Sequence, residues 1–236
     1  IGPSGKEMTR GYPMRPVTPA EKEDHIHHRS FWFNHGSVNG LSFWDERGNP
    51  GEIKHREFLE LKDGSDARIR ARNEWVDPEK KVLCEDVRTI AFGADERTRW
   101  IDFNVTVTAI GGRVVFGDTK EGSFGLRVAG SMRVERGEGG KIVNSEGHMN
   151  KDAWGKRAAW VDYSGPVDDE IVGVAILNHP SSVRHPTYWH VRTYGLFAAN
   201  PFGLHDFLRS PDADGSLTLE KGESFSMYYR VILHTG

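Results

Sequence analysis

Apolar and polar side chains alternate along much of the chain, with a period of two residues. In residues 100–108, Ile101, Phe103, Val105 and Val107 fall on one side, and polar residues fall between them on the other. This alternation is typical of an antiparallel strand with one buried face and one face in water. The same pattern predicts further strands at 53–61, 82–92, 113–117, 124–134, 171–177, 188–197 and 224–234.

Helical signals are scarce, because no window of about 12 residues carries a continuous apolar helix face. Glycine-rich turns separate the strands, as at Gly111-Gly112 and Asp214-Gly215. Many strands joined by such turns predict an all-β fold with little helix, a large antiparallel β-sandwich, of which a mutarotase-like supersandwich is one form. No linker or repeat divides the chain, so we expect residues 1–236 to form a single domain.

The composition excludes several classes of protein. The chain carries 31 basic and 34 acidic residues, a net charge of −3, which argues against a general nucleic-acid binder. No run reaches the ~18 apolar residues of a membrane-spanning helix. Cys84 is the only cysteine, so neither an internal disulfide nor a cysteine-rich metal site can form. Whether the protein is exported or cytoplasmic stays open.

Histidines cluster in two segments, and the first of these spans residues 25–44 without any acidic residue. If this segment begins extended, His25 and His27 share one face and His28 points to the other. Two imidazoles on one face can ligate a divalent metal. They can also be structural side chains packed beside aromatic rings. A third interpretation is a polar-ligand site in which the imidazoles donate hydrogen bonds and carry protons.

The second segment, residues 171–205, contains four histidines and no aspartate, glutamate or lysine. Extended from Tyr188, it places Tyr188, His190 and Arg192 on one face. Arginines and histidines without nearby carboxylates favour an anionic ligand, most often a carboxylate, sulfate or phosphate. Tryptophan and tyrosine faces beside them also suit sugar rings, whose apolar C–H patches are surrounded by hydroxyls. This segment therefore predicts a site for an anionic sugar.

A third polar stretch, Asp118 to Arg127, lies between the two histidine-rich segments in sequence. Asp118, Lys120 and Glu121 could supply a general acid, a base or a stabilising charge. They could equally form an exposed turn. The loop 148–157 is a further polar and aromatic stretch that could line a cleft.

Four separated motifs resemble the signatures of a bacterial family labelled methane oxygenase PmoA. Residues 27–40 read His-His-Arg-Ser-Phe-Trp-Phe-Asn-His-Gly-Ser-Val-Asn-Gly, and the other motifs lie at 120–128, 184–192 and 194–203. The resemblance implies a β-sandwich related to carbohydrate-active proteins, and it carries no catalytic assignment. It also implies a further N-terminal portion. It does not imply the multi-span membrane subunit of the same name, because this chain is too hydrophilic.

Together these observations predict a carbohydrate-active enzyme that abstracts a proton from an acidic or oxidised sugar, as a lyase, dehydratase or epimerase does. A glycosidase needs two opposed carboxylates, so the lack of acidic residues in the two histidine-rich segments makes glycosidase activity less favoured. One alternative is a metal-dependent oxygenase or hydrolase with histidine ligands. The other is a non-catalytic carbohydrate-binding module. No cofactor is favoured, although a divalent metal belongs to the first alternative, and the expected partner is a carbohydrate or another small anionic ligand rather than a membrane or nucleic acid.

The candidate residues divide by expected role. The expected catalytic residues are His28, His190, Lys120 and Glu121. The expected substrate-binding residues are Arg29, Trp32, His35, Asn39, Arg127, Arg184, His185, Trp189, Arg192 and Asn200. No metal site is favoured; the candidate metal ligands are His25 and His27. In the metal-dependent alternative one of these, or His28 or His35, would be joined by His185 or His190.

Overall fold

The structure, a computed structural model, describes residues 1–236 and is built mostly of strands. Strands account for 46% of the residues and helices for 8%. The strands are β1 Phe31–His35, β2 Glu52–Lys62, β3 Arg68–Val76, β4 Val82–Ala94, β5 Thr98–Ala109, β6 Val114–Phe116, β7 Gly122–Arg127, β8 Lys141–Asn144, β9 Trp160–Val167, β10 Glu170–Asn178, β11 Trp189–Val191, β12 Leu196–Ala199, β13 Leu217–Leu219 and β14 Ser224–Thr235. The helices are α1 Leu204–Leu208 and four 3-10 turns at Gly64–Asp66, Gly130–Met132, Val134–Arg136 and Asn150–Ala153.

Two antiparallel sheets pack face to face. The large sheet has the strand order β2-β3-β4-β5-β14-β10-β9-β8, and the small sheet has the order β1-β7-β12-β11. A two-stranded ribbon, β13-β6, completes the fold. Because the two sheets pack face to face, each has one face towards the core and one outer face. This arrangement confirms the predicted all-β sandwich.

Aromatic side chains from both sheets fill the space between them. Phe124 of β7 stacks on Tyr229 of β14 with ring centroids 4.5 Å apart, and Phe31 meets Phe103 of β5 at 5.7 Å. Phe103, Phe124 and Tyr229 belong to a single cluster of 38 buried hydrophobic residues, and the partly buried Phe31 packs against it. Such burial is the dominant favourable contribution to folding. The inward-facing side chains of both sheets are therefore buried in the core, and a ligand-binding site on either sheet must lie on its outer face.

Two predicted strands differ from the observed ones. The strand expected at 124–134 ends at Arg127, because the chain turns there into 3-10 helix and Met132 packs under β9 beside Gly165. The strand expected at 188–197 is a hairpin, since the Gly195 amide donates to the carbonyl of Arg192 and Gly195 adopts a φ of 102°. The chain contains no helix with the length and hydropathy of a membrane span.

Candidate functional site

The outer face of the small sheet carries a row of four residues, one from each strand. Trp32 pairs with Gly125, Gly125 with Ala198, and Ala198 with His190. Paired residues of antiparallel strands point to the same side, and the next row, which starts at Phe33, points into the core. Trp32 and His190 thus stand at the two ends of the row, about 14 Å apart at ~4.7 Å per strand. Gly125 and Ala198, which are both buried, lie between them and form the floor of the region that we call the cleft.

Four rings form a stacked column at the Trp32 end of the cleft. His28 lies parallel to Trp32 with centroids 5.4 Å apart, and His25 lies on His28 at 4.7 Å. Tyr194, from the hairpin between β11 and β12, continues the stack 5.6 Å from His25. The column therefore joins the two histidine-rich segments in one site.

The backbone before β1 is a turn, not the extended segment on which the predicted alternation of histidine faces depended. His25 adopts a φ of 43°, and the amide of His28 donates to the carbonyl of His25. As a result the rings of His25 and His28 stack on each other. The ring of His27 stands nearly perpendicular to that of His28, at 88°.

Two buried arginines lie beside the column, and one carboxylate accepts hydrogen bonds from both. Arg127 Nη2 donates to Asp24 Oδ1 at 3.0 Å, and Arg10 Nη1 donates to the same oxygen at 2.7 Å. Both arginine side chains are only 1% exposed. Arg127 also lies 4.8 Å from the ring centroid of Tyr194. Burial lowers the pKa of Arg127 to about 10, so it stays charged at neutral pH.

Arg127 fixes the protonation state of His28. Its Nη1 donates to His28 Nδ1 at 2.9 Å, and because a guanidinium can only donate, this nitrogen must carry a lone pair. Burial, aided by the charge of Arg127, lowers the pKa of His28 far below its ordinary value. His28 is therefore neutral with its proton on Nε2. That nitrogen makes no hydrogen bond within the chain and is not sealed from solvent, so it is a free donor.

His190, at the other end of the row, has the opposite tautomer. Its Nδ1 donates to the carbonyl of Lys120 at 2.9 Å, which leaves the lone pair on Nε2. Burial lowers the pKa of His190 to about 4, and the nearby charge of Glu121 opposes that lowering. The Nε2 atom makes no hydrogen bond within the chain and is not sealed from solvent. His190 is thus a neutral base with a free acceptor.

Charged side chains stand around the cleft near His190. Lys120 Nζ lies 3.3 Å from Glu121 Oε1, so these two largely neutralise each other. Arg192 is exposed and lies over the rings of Trp154 and Tyr194, at 5.4 and 5.8 Å from their centroids. No carboxylate lies within 4.0 Å of the guanidinium of Arg192. The cleft therefore has unpaired positive charge to offer a ligand.

Several buried polar atoms of the tryptophans and of Asn34 have no partner inside the chain. The indole nitrogens of Trp32, Trp44 and Trp154 and the side-chain oxygen of Asn34 make no hydrogen bond. Trp32 and Trp154 both line the cleft, and Trp44 packs edge-on against Trp32 at 5.6 Å. Buried polar atoms are normally satisfied, so orphaned ones near a cleft mark places where a ligand or water completes the structure.

Other predicted binding residues use their hydrogen bonds inside the chain. Arg184 donates to the backbone carbonyls of Pro201, Gly215 and Ser216. His185 lies away from the cleft, where its Nδ1 contacts the side-chain oxygen of Asn178 at 2.9 Å. In the structure these two residues fasten loops together instead of facing the column.

Five further predicted residues are also engaged elsewhere. His35 is buried, with Nε2 donating to the Gly117 carbonyl, and burial lowers its pKa to about 4. Trp189 lies in the core and donates to the Ala158 carbonyl. Asn200 donates to the backbone carbonyl of Thr119, and Asn39 accepts from the backbone amide of Val115. Arg29 donates to the surface carboxylate of Glu46.

The candidate metal ligands do not converge on one point. His27 Nδ1 lies 3.5 Å from Asp45 Oδ1, whereas His25 is stacked between His28 and Tyr194. No group of three His, Cys, Asp or Glu side chains is placed to hold a metal ion. A metal-dependent activity stays a prediction.

Sequence reasoning missed Asp24, Trp44, Tyr194 and Arg209. Asp24 directly precedes the acid-free segment, and that boundary was the available signal. Tyr194 lies in the motif at 194–203, but its place in the column depends on the hairpin at Gly195. Arg209, which lies 5.9 Å over Trp154, had no signal in the sequence.

Comparisons with known proteins give a family and a distant structural likeness. The profile of a family of unknown function, DUF6807, matches residues 1–236. This match does not test the resemblance to the family labelled PmoA. No curated protein sequence matches the chain.

Two solved structures illustrate the structural likeness. One is a GH36 α-galactosidase, AgaA, from Geobacillus stearothermophilus in complex with 1-deoxygalactonojirimycin, with 12% identity and a TM-score of 0.42 over 97% of this chain and 36% of that chain. The other is the Slr1438 protein from Synechocystis sp. PCC 6803, with 10% identity and a TM-score of 0.37 over 79% of this chain and 66% of that chain. The present chain thus spans about a third of the α-galactosidase.

Proposed function

The chain belongs to the DUF6807 family of unknown function, and we propose that it is a carbohydrate-active enzyme that abstracts a proton from an acidic sugar bound in the cleft. One observation carries this proposal. His28 and His190 are both neutral, they have opposite tautomers, and neither Nε2 makes a hydrogen bond within the chain, although the two residues are only 1% and 4% exposed. The free base is the group that proton abstraction from a carbon atom requires, and the free donor can hold an oxygen of the sugar.

His190 is the base in this proposal. Its Nε2 takes the proton from the carbon next to the sugar carboxylate, and the electron pair of that C–H bond moves into the carboxylate. Glu121 is close enough to stabilise the imidazolium that forms, just as its charge already opposes the lowered pKa of His190. A base of low pKa is less effective at neutral pH, and a substrate carboxylate near the ring would raise that pKa further.

His28 and the arginines hold the substrate and the negative charge that develops on it. The Nε2–H of His28 donates to a sugar oxygen at the Trp32 end of the cleft, and the positive charge of Arg127 behind the ring keeps that proton on Nε2. Arg192 neutralises the carboxylate before and during the transfer. The intermediate then either expels the neighbouring oxygen substituent, which takes the proton held on His190 Nε2, or takes a proton from water on the opposite face while His190 returns its proton to solvent. The first outcome is elimination and the second is epimerisation.

The aromatic surfaces favour a sugar over a small inorganic anion. Trp32 and Trp154 stand near opposite ends of the cleft. Sugar rings present C–H faces to such aromatic side chains.

Exchange of protons with solvent tests the proposal directly. The protein is incubated in deuterated water with oligosaccharides of glucuronate, galacturonate, mannuronate and guluronate. Proton NMR then reports loss of the signal next to the carboxylate, or the vinyl proton of an unsaturated product. We expect one of these substrates to react, and His190→Ala to lower the rate by about 10²–10⁴-fold.

The controls separate chemistry from binding. His55→Ala replaces an exposed histidine on β2, outside the cleft, and is expected to keep the full rate. Added imidazole is expected to restore part of the rate of His190→Ala, which a merely structural role would not allow. Binding of a uronate in the cleft without exchange or elimination would contradict the enzyme and leave a carbohydrate-binding module.

A further inference from the structure

A second concave site lies on the outer face of the large sheet. It has a volume of about 600 Å³, and its floor is formed by β5 and β14 while the loop after β10 forms its wall. Asn104 and Tyr228 face each other across the floor, and the next pair on the same face, two residues along the strands, is Asp102 and Arg230. We call this site the groove.

The groove and the cleft lie on opposite sides of the sandwich. Tyr229 points into the core, where it stacks on Phe124 of the small sheet. Because side chains alternate along a strand, Tyr228 and Arg230 must point the other way, out of the large sheet. A ligand in the groove is therefore separated from His28 and His190 by the whole core.

The groove offers polar groups that the chain leaves free. The side-chain amide of Asn104 and the hydroxyl of Tyr228 make no hydrogen bond within the chain. His179 Nδ1 accepts from the Ser181 amide at 3.1 Å, so its other nitrogen is free to donate. The ring of His179 lies 6.0 Å from that of Tyr228. These groups line a common space.

The charges of the groove cancel. Arg230 donates from Nε and Nη2 to the two carboxylate oxygens of Asp102, at 2.6 and 2.7 Å. This bidentate pair leaves Arg230 Nη1 and several carboxylate lone pairs unused, which suits adjacent hydroxyls that both donate and accept. The groove thus lacks the unpaired positive charge that the cleft has.

Aromatic surface extends from the groove towards the edge of the sheet. Trp160 of β9 pairs with Leu177, which in turn pairs with Arg230, so all three belong to one outward row. Trp160 is 38% exposed. By strand spacing its Cα lies about 12 Å from that of Tyr228, a distance that one chain of linked sugar rings can span.

We propose that the groove is a second carbohydrate-binding site, specific for a neutral saccharide. The sugar rings stack on Tyr228 and Trp160, and their hydroxyls bind Asn104, the Asp102–Arg230 pair and His179. This site does not depend on the chemistry of the cleft. It would hold a neutral part of a glycan whose acidic residue the other face processes, or a separate glycan altogether.

Titration with neutral hexasaccharides tests the groove. Cellohexaose, xylohexaose, mannohexaose and a galactose hexaose are added to the whole chain, and binding is measured by calorimetry and by indole fluorescence. We expect at least one to bind. Tyr228→Ala and Trp160→Ala should each weaken that binding by about tenfold or more, as loss of an aromatic anchor does.

Matched variants keep the test decisive. Phe58→Ala removes another exposed aromatic ring of the large sheet, 55% exposed and outside the groove, and should bind the hexasaccharide normally. Tyr228→Phe keeps the stacking surface and should retain most of the affinity if Tyr228→Ala is unstable. His190→Ala should also bind normally. Absence of binding by all four probes, or binding lost in His190→Ala but kept in Tyr228→Ala, would overturn the groove without bearing on proton abstraction in the cleft.

Discussion

Asp24→Asn is expected to destabilise the protein far more than loss of an ordinary surface charge. Asp24 Oδ1 accepts from both Arg10 and Arg127, whose side chains are each 1% exposed. The amide that replaces it keeps the shape but removes the only carboxylate bonded to these two guanidiniums. Two buried positive charges would then repel each other without compensation.

The magnitude follows from the burial of the three groups. Removing one partner of a fully buried ion pair costs about 3–5 kcal/mol. Asp24 is 29% exposed, so in the variant water can solvate part of the guanidinium charge that the carboxylate had neutralised. The amide oxygen of asparagine can also still accept one hydrogen bond. We therefore expect the free energy of unfolding to fall by about 2–3 kcal/mol, against 0–1 kcal/mol for the exposed Arg29–Glu46 pair in Glu46→Gln.

Urea denaturation of the two variants and the unaltered protein measures this difference. Burial opposes the ionisation of Asp24, but Arg127, His25 and Arg10 outweigh it and hold its pKa below the ordinary value. The stabilisation should therefore be complete above about pH 4, the ordinary aspartate pKa, and should disappear as the pH falls through the lowered value. If Asp24→Asn costs no more than Glu46→Gln at pH 7, Asp24 does not hold the buried arginines as argued.

Three other changes have distinct expected outcomes. Because the pKa of His190 is lowered to about 4, the unfolded chain takes up this proton first, so His190 should contribute on the order of 2–3 kcal/mol to the loss of stability from pH 6.5 to 4. Urea titrations across this range should show a decline smaller by that contribution in His190→Gln. In Gly125→Ala the new Cβ would lie 2.8 Å from that of Ala198, which should cost about 1–3 kcal/mol in thermal unfolding and weaken uronate binding by filling the floor. Arg192→Ala should weaken uronate binding in calorimetry about tenfold and change the free energy of unfolding by less than about 0.5 kcal/mol. Arg184→Ala should instead lower the free energy of unfolding by about 2–4 kcal/mol, because Arg184 bonds backbone carbonyls inside the chain. Equal losses of stability in the two variants would contradict this difference in placement.

The sandwich could be predicted because one residue in two must face the core. The strand around 100–108 was found on this basis and extends over Thr98–Ala109. The pattern failed where apolar residues are buried by irregular backbone, as at Val128 and Met132, which are buried outside any strand. Alternation reports burial, and burial does not require a strand.

The candidate site was predictable in composition but not in geometry. The two acid-free segments do meet in the column, as the shared lack of carboxylates indicated. The row from Trp32 to His190, however, depends on two strand pairings between residues about 70–90 positions apart, which no local pattern reveals. Arg184 illustrates the other limit, since an arginine without nearby acids can bind an anion or, as here, backbone carbonyls of its own chain.

The tautomers of His28 and His190 are the most direct test of the proposed chemistry. Long-range proton–nitrogen NMR correlation assigns the protonated nitrogen of each imidazole and follows it with pH. The structure predicts that at pH 7 the proton is on Nε2 of His28 and on Nδ1 of His190, and that neither ring titrates above about pH 5. Two rings with the same tautomer, or a ring that becomes charged near pH 6.5, would contradict a free donor and a free base facing one cleft.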